Sequence, residues 1–321
     1  MSYNSTTLEK IGFTTIPHDI SVIDASPEKI RNWLNSINFD AALQFYNLNK
    51  HTEFQKLFRE YTAQFNSNPN IQAGAYILNK YLFSPNKYNW THDLNRKTID
   101  PLPALILLSG YKTHQDNMKS RKFDDYQENK HRLRINETCT RGLDVYKIQG
   151  SEISQLIWGS FFINAHIIEF GRLQYEIFKY DYQIPNFTPK HEYCINIHVP
   201  RGQKLSNDSV SKSLANAHKN IPTYFPEAPT PPDMFIDSWL TDKNLEPYLP
   251  TESNIRLFRE RFETLQHLPD SSLSKFLFNT SSSDISQYPS DTYLRQRIKT
   301  ALLNGEKFHD GIALLKQSHT R

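Results

Sequence analysis

Apolar residues recur every three to four positions through the first half of the chain. Ile30, Trp33, Leu34 and Ile37 predict a helix that begins at Ser26-Pro27-Glu28, where a capping hydroxyl precedes a proline in the first turn. Leu43 to Leu48 predicts a further short helix. Phe54, Leu57, Phe58, Tyr61 and Phe65 predict one over 52–66, and Ile71, Ala75, Ile77, Leu78 and Leu82 another over 70–83. Residues 84–100 read as a loop. Helix resumes from Pro101 to Lys112, and a polar helix with Tyr126, Leu133 and Ile135 follows. Residues 1–25 read as irregular, with a short strand around Phe13 to Ile16.

The period changes after Gly142. Leu143 to Ile148 reads as strand or linker, and Trp158 to Tyr180 is dense in β-formers, with Gly171 as a bend. Beyond the bend, Leu173, Tyr175 and Ile177 alternate with Arg172, Gln174 and Glu176. From Tyr193 to Val199 the alternation is sharper: Ile195, Ile197 and Val199 point one way, and Cys194, Asn196 and His198 the other. Pro200 should end that strand, and Arg201-Gly202 make a turn. Ser206 or Asn207 then caps a helix with Val210, Leu214, Ala217 and Ile221 on its buried face. Phe235 to Leu240 is the next strand. A helix from Ser253 carries Ile255, Phe258, Phe262 and Leu265. A short strand at 276–278, a helix through Tyr293, Ile298 and Leu302 ended by Gly305, and a strand over 308–315 complete the pattern. Strands and helices that return to one sheet predict the α/β (α+β) class. The expected layout is a mainly helical domain over 1–145 and a mixed sheet flanked by helices over 146–321.

Composition changes this picture little. Aromatic residues make up 13% of the 321, ample for a packed core. A net charge of +3 is too small to imply a nucleic-acid partner, which rests only on a pI near 8.6. The basic run from Lys112 to Arg134 is diluted by acids and reads as a solvated helix face; His114-Gln115-Asp116 reads as surface. The two cysteines, Cys139 and Cys194, make neither a disulfide framework nor a metal pair, which fits a cytoplasmic protein. The start has neither a charged region nor an apolar core of the signal-peptide kind. The longest apolar run, Leu102 to Leu108, is far short of the roughly 20 residues of a membrane span. Gly-x-Ser-x-Gly, His-Glu-x-x-His, Cys-x-x-Cys and a phosphate-binding P-loop are all missing, so no metal is expected.

The order of four segments, GRLQYE, IHVPRG, FIDSWL and LPTESNIRLF, resembles a family of uncharacterised bacterial acyltransferases. In that family a helical N-terminal domain precedes a GNAT-like (N-acetyltransferase-like) C-terminal domain. The resemblance implies transfer of an acyl group from an acetyl- or acyl-coenzyme A, or an acyl carrier protein thioester, to an amine or hydroxyl of a small molecule or peptide bound between the domains. It also implies that the central strand splays from its neighbour. The backbone of Asn196, Ile197 and Val199 would then pair with the pantetheine arm, and Arg201, Gly202 and Lys204 would receive its phosphates. The superfamily's phosphate loop carries two small residues in this turn, where this chain has the single Gly202.

Each candidate has a plainer alternative. His198 could take a proton from the attacking amine or hydroxyl, or be a histidine bonded across strands. Glu176 could be a base acting through water, or a partner in an Arg172 or cross-strand ion pair. Arg201, Gly202 and Lys204 could form an ordinary solvated turn. Ser238 could donate to the thioester oxygen, and Trp239 fill the core. Asn254 could bind a pantetheine amide, or simply cap its helix. GNAT enzymes often place a tyrosine acid in the helix after the splayed strand. None stands there, and Tyr248 lies just before it. A domain that keeps the fold without catalysis is the alternative reading of the whole.

Overall fold

The computed structural model describes residues 2–84, 87–88, 94–181, 183–184, 187–228, 230–280 and 282–316. The loop expected over 84–100 lies partly outside them. The chain divides into two compact units, residues 1–166 and 167–321.

The first unit is helical. Its helices are α1 (Tyr3–Lys10), α2 (Pro27–Ser36), α3 (Phe39–Phe45), α4 (Thr52–Ser67), α5 (Pro69–Leu82), α6 (Leu102–Ser109), α7 (Tyr111–Ser120), α8 (Asp125–Arg141) and α9 (Ile153–Ile163). A two-stranded ribbon of β1 (Phe13–Thr15) and β2 (Asn95–Arg96) accompanies them. Helix α6 is buried from Leu102 to Leu108, which is why its apolar run shows no polar face. Gly159 of α9 lets it approach: a Cβ there would meet Leu107 at 2.6 Å. No helix among the described residues is long and apolar enough to cross a membrane.

Three expectations are corrected in this unit. Residues 3–10 are helical rather than irregular, because Ser2 caps the helix and Asn4 is buried, donating to Ile20 O and Ile23 O at 2.8 and 2.9 Å. The β-rich reading that began at Trp158 fails up to Ile163, because α9 is buried on nearly every side and shows no helical period. His114 is not on the surface. It is 0% exposed, its Nδ1 bonded to Tyr46 Oη at 2.9 Å and its Nε2 to His131 Nδ1 at 3.1 Å.

The second unit holds β3 (Ile167–Phe170), β4 (Leu173–Lys179), β5 (Tyr193–His198), α10 (Asn207–Tyr224), β6 (Met234–Ser238), α11 (Asn254–Arg259), β7 (Phe262–His267), α12 (Leu273–Leu277), α13 (Tyr293–Leu303) and β8 (Gly311–Leu315). Six strands form one mixed sheet in the order β3-β4-β5-β6-β8-β7, with only the β5–β6 pair parallel. The helical first half and mixed sheet of the second half are those expected. Helix α10 packs on β3 and β4 with Val210, Leu214, Ala217 and Ile221 inward. Truncating Leu214 to alanine would cost about 2–5 kcal/mol.

Two elements differ from expectation. Helix α11 stops at Arg259, and Phe262 and Leu265 lie on strand β7 because β8 offers it an edge to pair with. Residues 276–278 are no strand; α12 ends there, with Leu273 and Phe278 in a small core beside Ile298 and Phe308.

The buried histidine pair makes stability pH-dependent. Burial holds His114 well below the usual histidine range, and His131 and Arg132 push the same way. Tyr46, His131, Arg132 and Cys139 are the titratable groups of this cluster. The folded state therefore keeps His114 neutral while the unfolded chain takes up a proton near pH 6.5. The stabilisation is full above that pH and is lost as pH falls below it. We expect the melting temperature to drop steadily from pH 7 to pH 5 and the slope to flatten in H114Q; equal slopes in the two proteins would refute this.

Candidate functional site

Strand β5 sets the site. Its alternation sends Ile195 and Ile197 to the face that also carries Tyr175 and Ile177 of β4. That is the face of α10, whose Ser213 Oγ lies 2.9 Å from Tyr175 Oη. Cys194, Asn196 and His198 take the other face, with Gln174, Glu176 and Phe178 opposite them.

On that second face the structure gathers Glu176, Asn196 and His198. Glu176, 1% exposed, accepts from His198 Nε2 at 2.7 Å through Oε2, and Asn196 Nδ2 reaches the same oxygen at 3.5 Å. A buried carboxyl group is costly without such donors. Two acceptors on these cross-strand partners, Glu176 Oε1 and Asn196 Oδ1, have no donor among the described residues. Beside them Gln174 donates to Glu169 Oε2 at 3.0 Å, a pair the sequence pattern did not single out. The 2.7 Å contact between His198 Nε2 and the Glu176 carboxyl orients the imidazole ring. This is the geometry in which a carboxylate fixes the tautomer of a base.

The pairing of β5 with β6 is short. They pair only at Ile195 with Met234 and Asn196 with Phe235, supported by Ile195 N–H donating to Asp233 O at 2.9 Å. Beyond that, β6 continues along β8 to Ser238 with Gly311, and among the described residues no ladder joins Ile197 and His198 to Ile236–Ser238. The two strands part at Asn196 and Phe235. The closed side of this fork is filled by Phe235, with Phe178, Tyr180 and Phe187 rings 5.5–6.1 Å from its own.

At the far end of β5, Val199 and Arg201 are half-buried and Gly202 and Lys204 are exposed. Gly202 has φ +99°, a conformation that favours glycine. Arg201 Nη2 is enclosed yet has no hydrogen-bond partner among the described residues. Helix α10 follows, capped by Ser206 on Ser209 N–H at 3.3 Å. The remaining candidates make local contacts of their own. Ser238 Oγ accepts from Leu240 N–H at 3.2 Å, closing the turn after β6. Asn254 is exposed in the first turn of α11, where Ser253 is the cap. Tyr248 donates to Glu306 and packs on Phe308. Arg172 makes no pair with Glu176; it reaches the carbonyls of Pro200 and Lys204 instead.

Residues 167–315 match the family model described as the GNAT-like C-terminal domain, over the stretch that contains the whole sheet. This stretch is a GNAT-like domain. Solved acyltransferase structures share the fold. One, in complex with CoA and 10C-teicoplanin, is 16% identical with a TM-score of 0.65 over 78% of this chain and 80% of that one. Another, in complex with decanoyl-CoA, is 18% identical with a TM-score of 0.65 over 78% and 79%. A third, in complex with decanoyl-CoA and teicoplanin, gives 17% and 0.64 over 78% and 80%. No curated protein matches the chain by sequence.

The GNAT-like domain carries Cys194, and the helical unit Cys139, both buried. Burial pushes the Cys194 thiol up to about 12, with Asp233 adding to it, and raises Cys139 as well. Thiolate is the reactive form, so neither should react near neutral pH. We expect the native protein to titrate no thiol with DTNB over an assay and two after denaturation; a prompt native signal would contradict this burial.

Proposed function

We propose that the protein is an acyltransferase that moves an acyl group from acyl-CoA to an amine or hydroxyl of a small-molecule acceptor. The observation that carries this reading is the parting of β5 from β6 after Asn196 and Phe235. The β5–β6 ladder ends there, and a pantetheine arm with its two amides needs a strand edge of this kind to pair with. The fold neighbours that hold CoA, decanoyl-CoA and teicoplanin support the donor class and a small-molecule acceptor.

In this reading His198 is the general base and Glu176 holds it. The acceptor's nitrogen or oxygen attacks the thioester carbonyl carbon while its proton passes to the His198 imidazole. The C–S bond then breaks, and the sulfur leaves with the electron pair and takes up a proton as the free thiol. Holding donor and acceptor together supplies much of the acceleration, and the base adds about 10²–10⁴-fold. Glu176 Oε1 and Asn196 Oδ1 would receive hydrogens from the acceptor side. Ser238 and Asn254 keep the roles of turn closure and first helical turn.

Calorimetric titration with acetyl-, octanoyl- and decanoyl-CoA tests the donor, and DTNB detection of released thiol with amine and hydroxyl pools tests the transfer. H198A should keep the acyl-CoA affinity and lose about 10²–10⁴-fold in kcat. Failure to bind any acyl-CoA sinks the reading, and acyl carrier protein thioesters are then the donors to assay. Binding without thiol release in every pool would instead mark a domain that keeps the fold and binds without catalysis.

A further inference from the structure

The turn after β5 is held from an unexpected direction. Arg172 sits at the tip of the β3–β4 hairpin, directly after Gly171 at φ +61°. It is buried, and its guanidinium crosses to the end of β5. Nη1 donates to Pro200 O at 2.7 Å, and Nε donates to Lys204 O at 3.2 Å. A guanidinium presents its donors in a rigid planar fork, so these two bonds fix the separation of the two ends of the turn.

Inside that bracket the main chain is unusually unspent. From Arg201 to Leu205 no backbone N–H has an acceptor among the described residues. Gly202 is exposed, and a Cβ on it would meet nothing within 4 Å. Arg201 Nη2 is enclosed and, among the described residues, has no hydrogen-bond partner. Consecutive free amides in a turn form an anion-binding concavity, provided the turn keeps its shape. Nothing in the turn's own hydrogen bonds keeps it; Arg172 does, by engaging the carbonyls at its two ends.

We propose that Arg172 is a positioning residue that holds the 200–204 turn open for the diphosphate of the donor without itself touching the donor. This rests on the acyl-CoA reading above. A lysine cannot replace it, because one rotating ammonium does not fix two carbonyls at a set spacing.

The experiment compares wild type with R172K and R172Q. Titration with coenzyme A, and with pantetheine, which lacks the diphosphate, separates the two ends of the donor. Both variants should bind coenzyme A about 10- to 100-fold more weakly and bind pantetheine as wild type does. KM for acyl-CoA should rise by the same factor with kcat unchanged. Trypsin, without any donor present, should cut after Arg201 or Lys204 faster in the variants. Wild-type coenzyme A affinity in R172K and R172Q overturns this role and leaves the acyl-CoA reading standing. Equal losses for coenzyme A and pantetheine, a fall in kcat at unchanged KM, or loss of a cooperative melt in both variants also overturns it. If wild type itself binds no coenzyme A, the acyl-CoA reading fails and this role fails with it.

Discussion

The second unit depends on a constraint of pairing: β6 lies between β5 and β8, and its ladder with β8 runs on to Ser238 after its ladder with β5 has ended at Phe235. The antiparallel β6–β8 ladder runs from Phe235 with Leu314 to Ser238 with Gly311, whereas the parallel contact with β5 ends at Asn196 and Phe235. Thr241 Oγ1 reinforces the β8 side by donating to Ser238 O at 2.8 Å and Gly311 O at 2.9 Å. Gly311 is needed there, since a Cβ would stand 2.5 Å from that hydroxyl oxygen. Backbone groups left without a strand partner must be satisfied by something else. At the last paired residue, Phe235 is buried among the Phe178, Tyr180 and Phe187 rings, which anchors the paired end of the two strands.

The alternation of β5 serves stability and chemistry at once. Ile195 and Ile197 contribute to the face beneath α10, where each fully buried side chain is worth about 1.5–3 kcal/mol. The residues between them carry Asn196 and His198 to a face where burial is a cost. That cost is offset only because strand register places Glu176 opposite Asn196 and His198 opposite Gln174. A one-residue slip would put the isoleucines on the polar face and the histidine under the helix, so register is strongly specified.

Much of this was legible in the sequence where one face is buried and the other is not. Tyr193 to Val199, Leu173 to Ile177 and the α10 stripe all alternate or repeat cleanly, and these segments carry the Glu176–His198 pair and the turn. The pattern misled where burial is uniform or where tertiary pairing outweighs local period. Residues 153–163 are apolar on every side, so their helix shows no period. Ile255, Phe258, Phe262 and Leu265 fit a helical spacing, yet the pairing of β7 with β8 decides the last two. His114 sits among polar neighbours in sequence, and only the packing of α7 against other helices buries it. The fork itself has no local signal at all, because it is a property of three strands distant in the chain.

Arg172 shows why side-chain partners are harder to read than faces. Its spacing from Glu176 on one strand suggests an ion pair, but the bend at Gly171 carries it out of the alternation and onto the turn. The hairpin tip is therefore tied twice. Ser213 of α10 donates to Phe170 O and accepts from Leu173 N–H at 3.2 Å, while Arg172 grips Pro200 and Lys204. Strand β4 and the hairpin tip before it then carry both supports of the candidate site: Arg172 at the tip under the turn, and Glu176 four residues on, holding His198. Four residues of extended chain span about 13 Å. In the proposed reading, the distance between the diphosphate end and the base is thus set by β4 and its hairpin tip, rather than by the loops on either side of them.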